Sequence, residues 1–301
     1  MEFDELDIFI MISKYKSFSA AGRHMYLSQA TISTKIKNLE HKLGVPLFYR
    51  NNSIVSITEA GSAFMPYAQQ MLSLKKESET HMDDFKHGSR GRISLAASHT
   101  ICDWVLPDII RKFRKDSKNI DFVLHTSFTN DTIDKVLSGE VQFGLIRMPH
   151  AHFSDDRFYS KLLEVDKTFF FAHPNHALFH IKEPTMRRIA KELLIVYGAP
   201  TSYWPQIKNV FEMQGLVPNP ALEFNDIHAV KLYAQLSSYI GYLPELTLQH
   251  EIRQHTLKII PLKDYVPIKR YSLLIYLKDR YLTGISKDFV DFINSLDILD
   301  W

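Results

Sequence analysis

Residues 26–44, "YLSQATISTKIKNLEHKLG", carry two interleaved rows. Ile32, Ile36, Leu39 and Leu43 recur at the period of one helix face, and Gln29, Ser33 and Lys37 form a polar row beside them. Ser28 stands where an N-cap is wanted and Gly44 where a left-handed C-terminal residue is wanted, so a helix is expected between them. Taken alone, this pattern also describes an ordinary capped surface helix. Its neighbours decide the matter.

Upstream, Leu6, Phe9, Ile10 and Ile12 fit an amphipathic helix, and Ser17 is the expected N-cap of a second helix through Ala20, Ala21 and Met25. The brief Tyr26–Leu27 turn then makes a helix-turn-helix. Downstream of Pro46, "LFYRNNSIVSIT" places two β-prone runs around Asn51, Asn52 and Ser53, the signal of a hairpin, or wing. Between residues 8 and 58 seven lysines and arginines face a single acid, Glu40, although the whole chain of 301 residues has a net charge of only +2. A basic module on an acidic remainder implies a polyanion as partner of the first segment.

A recognition helix needs short hydrogen-bonding side chains on its first turns, because its amino-terminal end reaches the base edges. Gln29, Thr31, Ser33 and Thr34 meet that need. Ser28 and the free N–H groups of the first turn suit a phosphate, and Lys35 and Lys37 suit the backbone further along. Arg50, Asn51 and Asn52 at the wing tip suit the flanking minor groove.

Thr58 is expected to cap the next helix, which runs to about Gly88. Phe64, Ala68, Met71, Lys75, Ser78, Met82 and Phe85 alternate in spacings of four and three, the period of a two-stranded coiled coil, and Pro66 should kink its start. After the linker "HGSRG" the chain alternates strands and helices: "RISLAAS", "LPDIIRKFRKD", "IDFVLHTS", "NDTIDKVLSGE" and "FGLIR". A second set begins at "DKTFFFAHP", and a late strand, "YSLLIYLK", with the helix "ISKDFVDFINSL" returns to the first. Two α/β lobes are expected. Ligands of such lobes sit at the carboxyl ends of the strands, where helix N-termini converge. Ser98, His99 and Thr100 follow the first strand, Ser127, Phe128 and Thr129 the second and Arg147 the third, while Tyr197, Gly198 and Thr201 end a strand of the second lobe. Hydroxyls, helix N-termini and one arginine favour a carboxylate or other anion. Ser and Thr at such turns are also ordinary N-caps.

Other chemistry finds little support. The chain has one cysteine, Cys102, too few for a disulfide or a CxxC metal site, and nothing near it except His99 would hold a thiolate. His173, His176 and His180 have metal-like spacing without an acidic or thiol partner. There is no GxSxG, no HExxH and no phosphate-binding glycine loop among only 11 glycines, so neither catalytic residues nor a cofactor are expected. The acidic start "MEFDELDIF" is unlike a secretory signal, and no apolar run approaches the ~20 residues of a membrane span; a cytoplasmic protein without membrane contact is expected.

The markers "FSAAGRHMYLSQATIS", "LEHKLGVPLFYR" and "TEAG" resemble, in residues and spacing, the winged helix-turn-helix of the LysR-type transcriptional regulators. The resemblance implies a DNA-binding domain over 1–58, a linker and dimerisation helix over 59–88, and an effector-binding domain over 89–301. That domain is similar to type 2 periplasmic binding proteins, with one lobe about 92–162 and 266–301 and the other about 163–265. It further implies DNA contacts at Ser28, Gln29, Ser33, the position of Thr34 and Arg50, homodimers assembled into homotetramers on interrupted palindromes, and a small-molecule effector in the cleft. RNA polymerase is a further candidate partner. The chain departs from the family at Ala30 (commonly proline), Thr34 (commonly basic), Gln142 (usually aspartate) and Ser237–Ser238 (usually glycine). An operator of its own is therefore expected. A two-lobed solute-binding or enzymatic protein with an accessory helical module, and a regulator without a metabolite, are the alternatives.

Overall fold

The computed structural model describes residues 1–51, 54–86, 91–116, 120–198, 203–236, 238–280, 282, 284–297 and 299–300. Asn52, Thr201, Ser237 and the linker residues 87–90 lie outside them, as do the side chains of Arg50 and Asn51.

The first module is three helices and a hairpin: α1 (Phe3–Tyr15), α2 (Phe18–Met25), α3 (Gln29–Leu43), β1 (Phe48–Asn51) and β2 (Ile54–Ile57), the strands pairing antiparallel. Ser17 Oγ accepts the Ala20 N–H at 3.2 Å, and Ser28 Oγ accepts the Thr31 N–H at 3.1 Å, so both expected caps form. Gly44 ends α3 at φ 75°, where a β-carbon would be strained. Ile32, Ile36 and Leu39 are fully buried against Leu6, Phe9 and Ile12 of α1. Burial of each such side chain stabilises by about 1.5–3 kcal/mol, which is why the apolar row holds α3 in place. Glu40, the lone acid of the basic segment, accepts the N–H groups of Leu47 and Phe48 at 2.9 and 3.3 Å and so pins the wing to α3.

Helix α4 (Glu59–Lys86) follows at once. Thr58 Oγ1 accepts the Gly61 N–H at 2.9 Å and donates to the Pro46 carbonyl at 2.8 Å. A β-carbon at Gly61 would collide with the Leu47 carbonyl oxygen, which accounts for the glycine of "TEAG". Pro66 lies inside α4, and the helix continues through it. The expected coiled-coil row is corrected in its first half. Phe64, Ala68 and Met71 pack into the first module's core, with Phe64 and Phe9 rings 5.5 Å apart. Among the described residues, the apolar side chains that α4 leaves exposed include Tyr67, Leu74 and Met82.

One mixed sheet runs through both lobes in the order β4-β3-β5-β11-β6-β9-β7-β8. In the first lobe β3 (Gly91–Ala97), a π-helical turn (Ile101–Val105), α5 (Leu106–Asp116), β4 (Ile120–Thr126), α6 (Thr129–Leu137) and β5 (Phe143–Met148) form the expected parallel βαβαβ unit. Strand β6 (Phe158–Ala172) begins earlier than its sequence suggested, because Ser160, Lys161 and Glu164 interrupt its apolar pattern. The second lobe adds α7 (Met186–Ile189), β7 (Leu194–Tyr197), α8 (Tyr203–Glu212), β8 (Pro220–Phe224), α9 (Ile227–Leu236), β9 (Ile240–Pro244), α10 (Glu245–Arg253) and β10 (Lys258–Ile259). The chain then returns through β11 (Lys269–Leu277), α11 (Gly284–Ser295) and β12 (Leu299–Asp300).

β6 pairs with β11 as far as Lys167 and with β9 from Thr168, so the change of lobe falls there and not at 162/163. Thr168 Oγ1 meets Tyr242 Oη at 2.6 Å, Tyr242 Oη meets Tyr265 Oη at 3.0 Å, and Tyr265 Oη donates to the Thr168 carbonyl at 2.9 Å. This hydroxyl knot ties β6 to β9 and to the segment leading into β11, where the chain crosses between lobes. Gln142, the departure from the usual aspartate, bridges Ser94 and Ser286 through its amide at 3.0 Å each.

Candidate functional site

On the outer face of α3, Gln29, Ala30, Thr31, Thr34 and Lys37 are exposed, and Ser33 and Lys35 are half-buried. Ser28 Oγ also meets Thr31 Oγ1 at 2.8 Å, so the Thr31 hydroxyl is engaged in the cap and its methyl is the group left to present. Lys35, expected to suit the DNA backbone, is paired within the module. Its Nζ donates to Asp4 of α1 at 3.2 Å and holds that carboxyl below the usual aspartate range. An exposed pair of this kind is weak and can be exchanged for a phosphate. Burial pushes the Glu5 carboxyl up, but Lys42, bonded to it at 2.9 and 3.0 Å, and the Glu2 N–H together bring it below its ordinary value. Tyr26, in the turn before α3, was not singled out by the sequence; it is left-handed at φ 56° and 96% exposed.

Between the lobes lies a cavity of about 380 Å³ lined by Ser98, His99, Thr100, Phe128, Thr129, Asn130, Asp131, Arg147, Met148, Pro149, Tyr197, Tyr203, Gln206 and Arg270. Seven of the ten expected residues line it. Two others do not. Ser127 Oγ is tied to Thr132 Oγ1 at 2.7 Å within the turn opening α6, because a buried hydroxyl there must find a local partner. Gly198 donates to the Phe224 carbonyl at 2.8 Å and is covered by the Glu223 side chain. Thr201 lies outside the described residues.

At the cavity floor Arg147 Nη2 bonds Asp166 at 3.0 Å, with both side chains buried. Burial works against its charge, but Tyr203, Glu164 and Asp166 outweigh it, so the guanidinium stays protonated. Its Nε and Nη1, and the Oγ of Ser98, are buried without a hydrogen-bond partner among the described residues. Such groups cost about 1–3 kcal/mol each unless something accepts from them. Arg270 was missed because it lies 123 residues beyond Arg147 in a strand of apolar appearance. Its guanidinium lies over the Tyr203 ring at 5.2 Å and donates to the Arg147 carbonyl at 3.5 Å. Burial first, then Arg147, push its pKa down.

The cavity is also joined to the lobe interface. Asp166 Oδ1 accepts the Leu246 N–H at 3.4 Å, in the first turn of α10. The π-helical turn after Thr100 carries Trp104, stacked on His228 of α9 at 5.5 Å and lying 5.2 Å from Lys231 Nζ, while Asp103 meets His228 at 3.5 Å. Lys231 in turn bonds Glu251 at 2.7 Å.

Cys102 is a half-buried thiol whose pKa burial raises, with Thr126 donating to its sulfur at 3.6 Å. His176 uses both ring nitrogens, one toward the Ser238 carbonyl and one toward the Leu178 N–H. Among the described residues no group of three His, Cys, Asp or Glu could hold a metal, and no helix is long and apolar enough to cross a membrane.

A winged helix joined through one long helix to two lobes around a cationic cavity defines a DNA-binding transcriptional regulator. Residues 3–62 match the bacterial regulatory helix-turn-helix protein, lysR family, and residues 86–296 match the LysR substrate binding domain. The chain belongs to the LysR family. It is 25% identical over 292 residues to an uncharacterized HTH-type transcriptional regulator, YwqM, of Bacillus subtilis (strain 168), spanning 97% of this chain and 98% of that one. It is 26% identical over 278 residues to a probable RuBisCO transcriptional regulator of Trieres chinensis, spanning 86% of each. Among solved structures, full-length CbnR complexed with its target DNA matches at TM-score 0.60 and 21% identity, over 98% of this chain and 99% of that one. A full-length OxyR variant from Pseudomonas aeruginosa matches at 0.61 and 17%, over 97% and 93%. These likenesses show the fold.

Proposed function

We propose that this regulator reads DNA with the first turns of α3 and is controlled by a small anion held between its lobes. Gln29 and Ser33 discriminate bases, Ala30 and Thr31 offer methyls, and Thr34 sets a preference of its own where a long cation is absent. Ser28, Lys35 and Lys37 hold backbone phosphate, and Arg50, Asn51 and Asn52 form the wing's contact. Homodimers form along the exposed row Tyr67, Leu74 and Met82 of α4, and dimers pair into tetramers.

The observation that carries the anion is the trio of buried donors that have no partner among the described residues, Ser98 Oγ with Arg147 Nε and Nη1, in one cavity. A carboxylate or phosphate entering the cavity can accept from Ser98 and from one free edge of the Arg147 guanidinium in charge-assisted bonds. Because Asp166 links Arg147 to the first turn of α10, an anion on Arg147 acts on both lobes, and it shifts the tetramer by binding one lobe arrangement better than another. The result is altered half-site engagement or DNA bending, not simple release.

Titration calorimetry of the full chain against small carboxylates, inorganic phosphate and amino acids tests this. Saturable anion binding that Ser98→Ala weakens is the expected result. Equal binding of uncharged analogues, or binding indifferent to Ser98, would overturn it.

A further inference from the structure

We infer that Tyr26, in the turn between α2 and α3, is a DNA-positioning residue whose phenol donates to a backbone phosphate at the rim of the groove; this rests on the reading that the first turns of α3 face DNA. The fold itself gives no reason for a tyrosine at this position. Tyr26 ends α2 in the left-handed region, at φ 56° and ψ 34°, with its N–H directed at the Arg23 and Gly22 carbonyls and the next N–H, of Leu27, donating to the Gly22 carbonyl at 2.9 Å. Glycine or asparagine adopts that conformation most readily, and a bulky side chain is an outlier there. The turn is also tightly closed, since a β-carbon at Gly22 would meet the Leu27 carbonyl oxygen at 2.8 Å. Packing does not offset the strain. The ring stands outside the core of the module at 96% exposure, and among the described residues neither the ring nor the hydroxyl has a partner. A strained backbone under a side chain that contributes nothing to the fold points to a partner outside it.

The surroundings say what that partner is. Residues 26–31 are exposed without a break, so Tyr26 continues the surface formed by Ser28, Gln29, Ala30 and Thr31, and Arg23, one turn earlier, is exposed as well. In a helix-turn-helix the first helix crosses the DNA backbone and the second enters the groove by its amino end, so the turn between them stands at the groove rim. Phosphate oxygens are the acceptors there, and a phenol is a neutral O–H donor. Being neutral, Tyr26 fixes the depth and register of α3 without displacing a counterion.

Anisotropy titrations of the full chain on the duplex upstream of its own gene and on a scrambled duplex, at several salt concentrations, test this with Gln29→Ala as the companion variant. Tyr26→Phe removes one exposed oxygen and leaves the backbone as it is. It should weaken both duplexes by about tenfold per half-site, the return of one hydrogen bond to a charged group, with the salt slope of log K and the Tm unchanged. Tyr26→Gly should lose at least as much affinity while the Tm rises, because glycine takes the left-handed turn without strain. Wild-type affinity in both Tyr26 variants, with Gln29→Ala still losing discrimination, would overturn the Tyr26 contact and leave the α3 reading standing. An affinity loss accompanied by a fall in Tm would make Tyr26 a structural residue and overturn the contact too. Wild-type behaviour of all three variants would overturn both readings.

Discussion

The two ends of the molecule use polar side chains in opposite ways. On α3 the functional candidates are exposed or half-buried and local, set within ten residues from Ser28 to Lys37, and water or a neighbouring side chain satisfies them until DNA does. In the cleft they are largely buried and remote, brought together from Ser98, Arg147, Tyr203 and Arg270, and among the described residues Ser98 Oγ and Arg147 Nε and Nη1 find no partner. An exposed polar row costs little to keep and little to change; a buried cation is costly on both counts. The same contrast orders the consequences of mutation.

The largest effect falls in the cleft. Asp166→Ala leaves the Arg147 guanidinium buried without its carboxylate, and breaking such a pair costs about 3–5 kcal/mol. Urea unfolding of the full chain should show that loss, and a change within error of zero would break the contrast. On the DNA face Gln29→Ala should leave stability unchanged and remove about 1–3 kcal/mol of discrimination between operator and scrambled DNA. Equal losses on both DNAs would show that Gln29 holds backbone instead. Lys37→Gln should weaken all sequences alike and reduce the salt slope of log K by about one.

These contrasts also explain what the sequence displayed. The helix-turn-helix was legible because its signals are local: Ser17 and Ser28 cap, Gly44 terminates, and the apolar row repeats within a few turns. The strand-end hydroxyls Ser98, Thr100 and Thr129 were legible by the same logic, since each opens an element. Arg270, Tyr203 and Gln206 were not, because their place in the cavity depends on where the chain crosses back between lobes. The partner of Lys35 in α1, 31 residues away, was likewise not legible. The inner half of α4 was read as a dimer seam because a coiled-coil row and a helix packed on its own domain share one period. Only Phe9, Phe48 and the other core residues of the first module tell them apart.

The smallest effect concerns Glu164, fully buried and bonded to Ser272 at 2.5 Å. Burial raises its pKa against the pull of Arg147 and of that bond. Its contribution to stability is therefore complete below the ordinary glutamate range, ~4.3, and is lost as pH rises through the raised folded value. Glu164→Gln should match the wild type near pH 4 and exceed it progressively toward pH 8, read as Tm. A constant difference across that range would show that the carboxyl does not titrate in the fold.

The claim that joins the two ends is that occupation of the cleft changes how α3 is offered to DNA. A footprint of the full chain on the DNA upstream of its own gene, with and without a saturating small carboxylate that calorimetry shows to bind, tests it most directly. The expected result is a shifted or shortened protected region, or new hypersensitive positions between half-sites, at unchanged protein concentration, and no such change in Ser98→Ala. An identical footprint with the acid shown by calorimetry to be bound would contradict it.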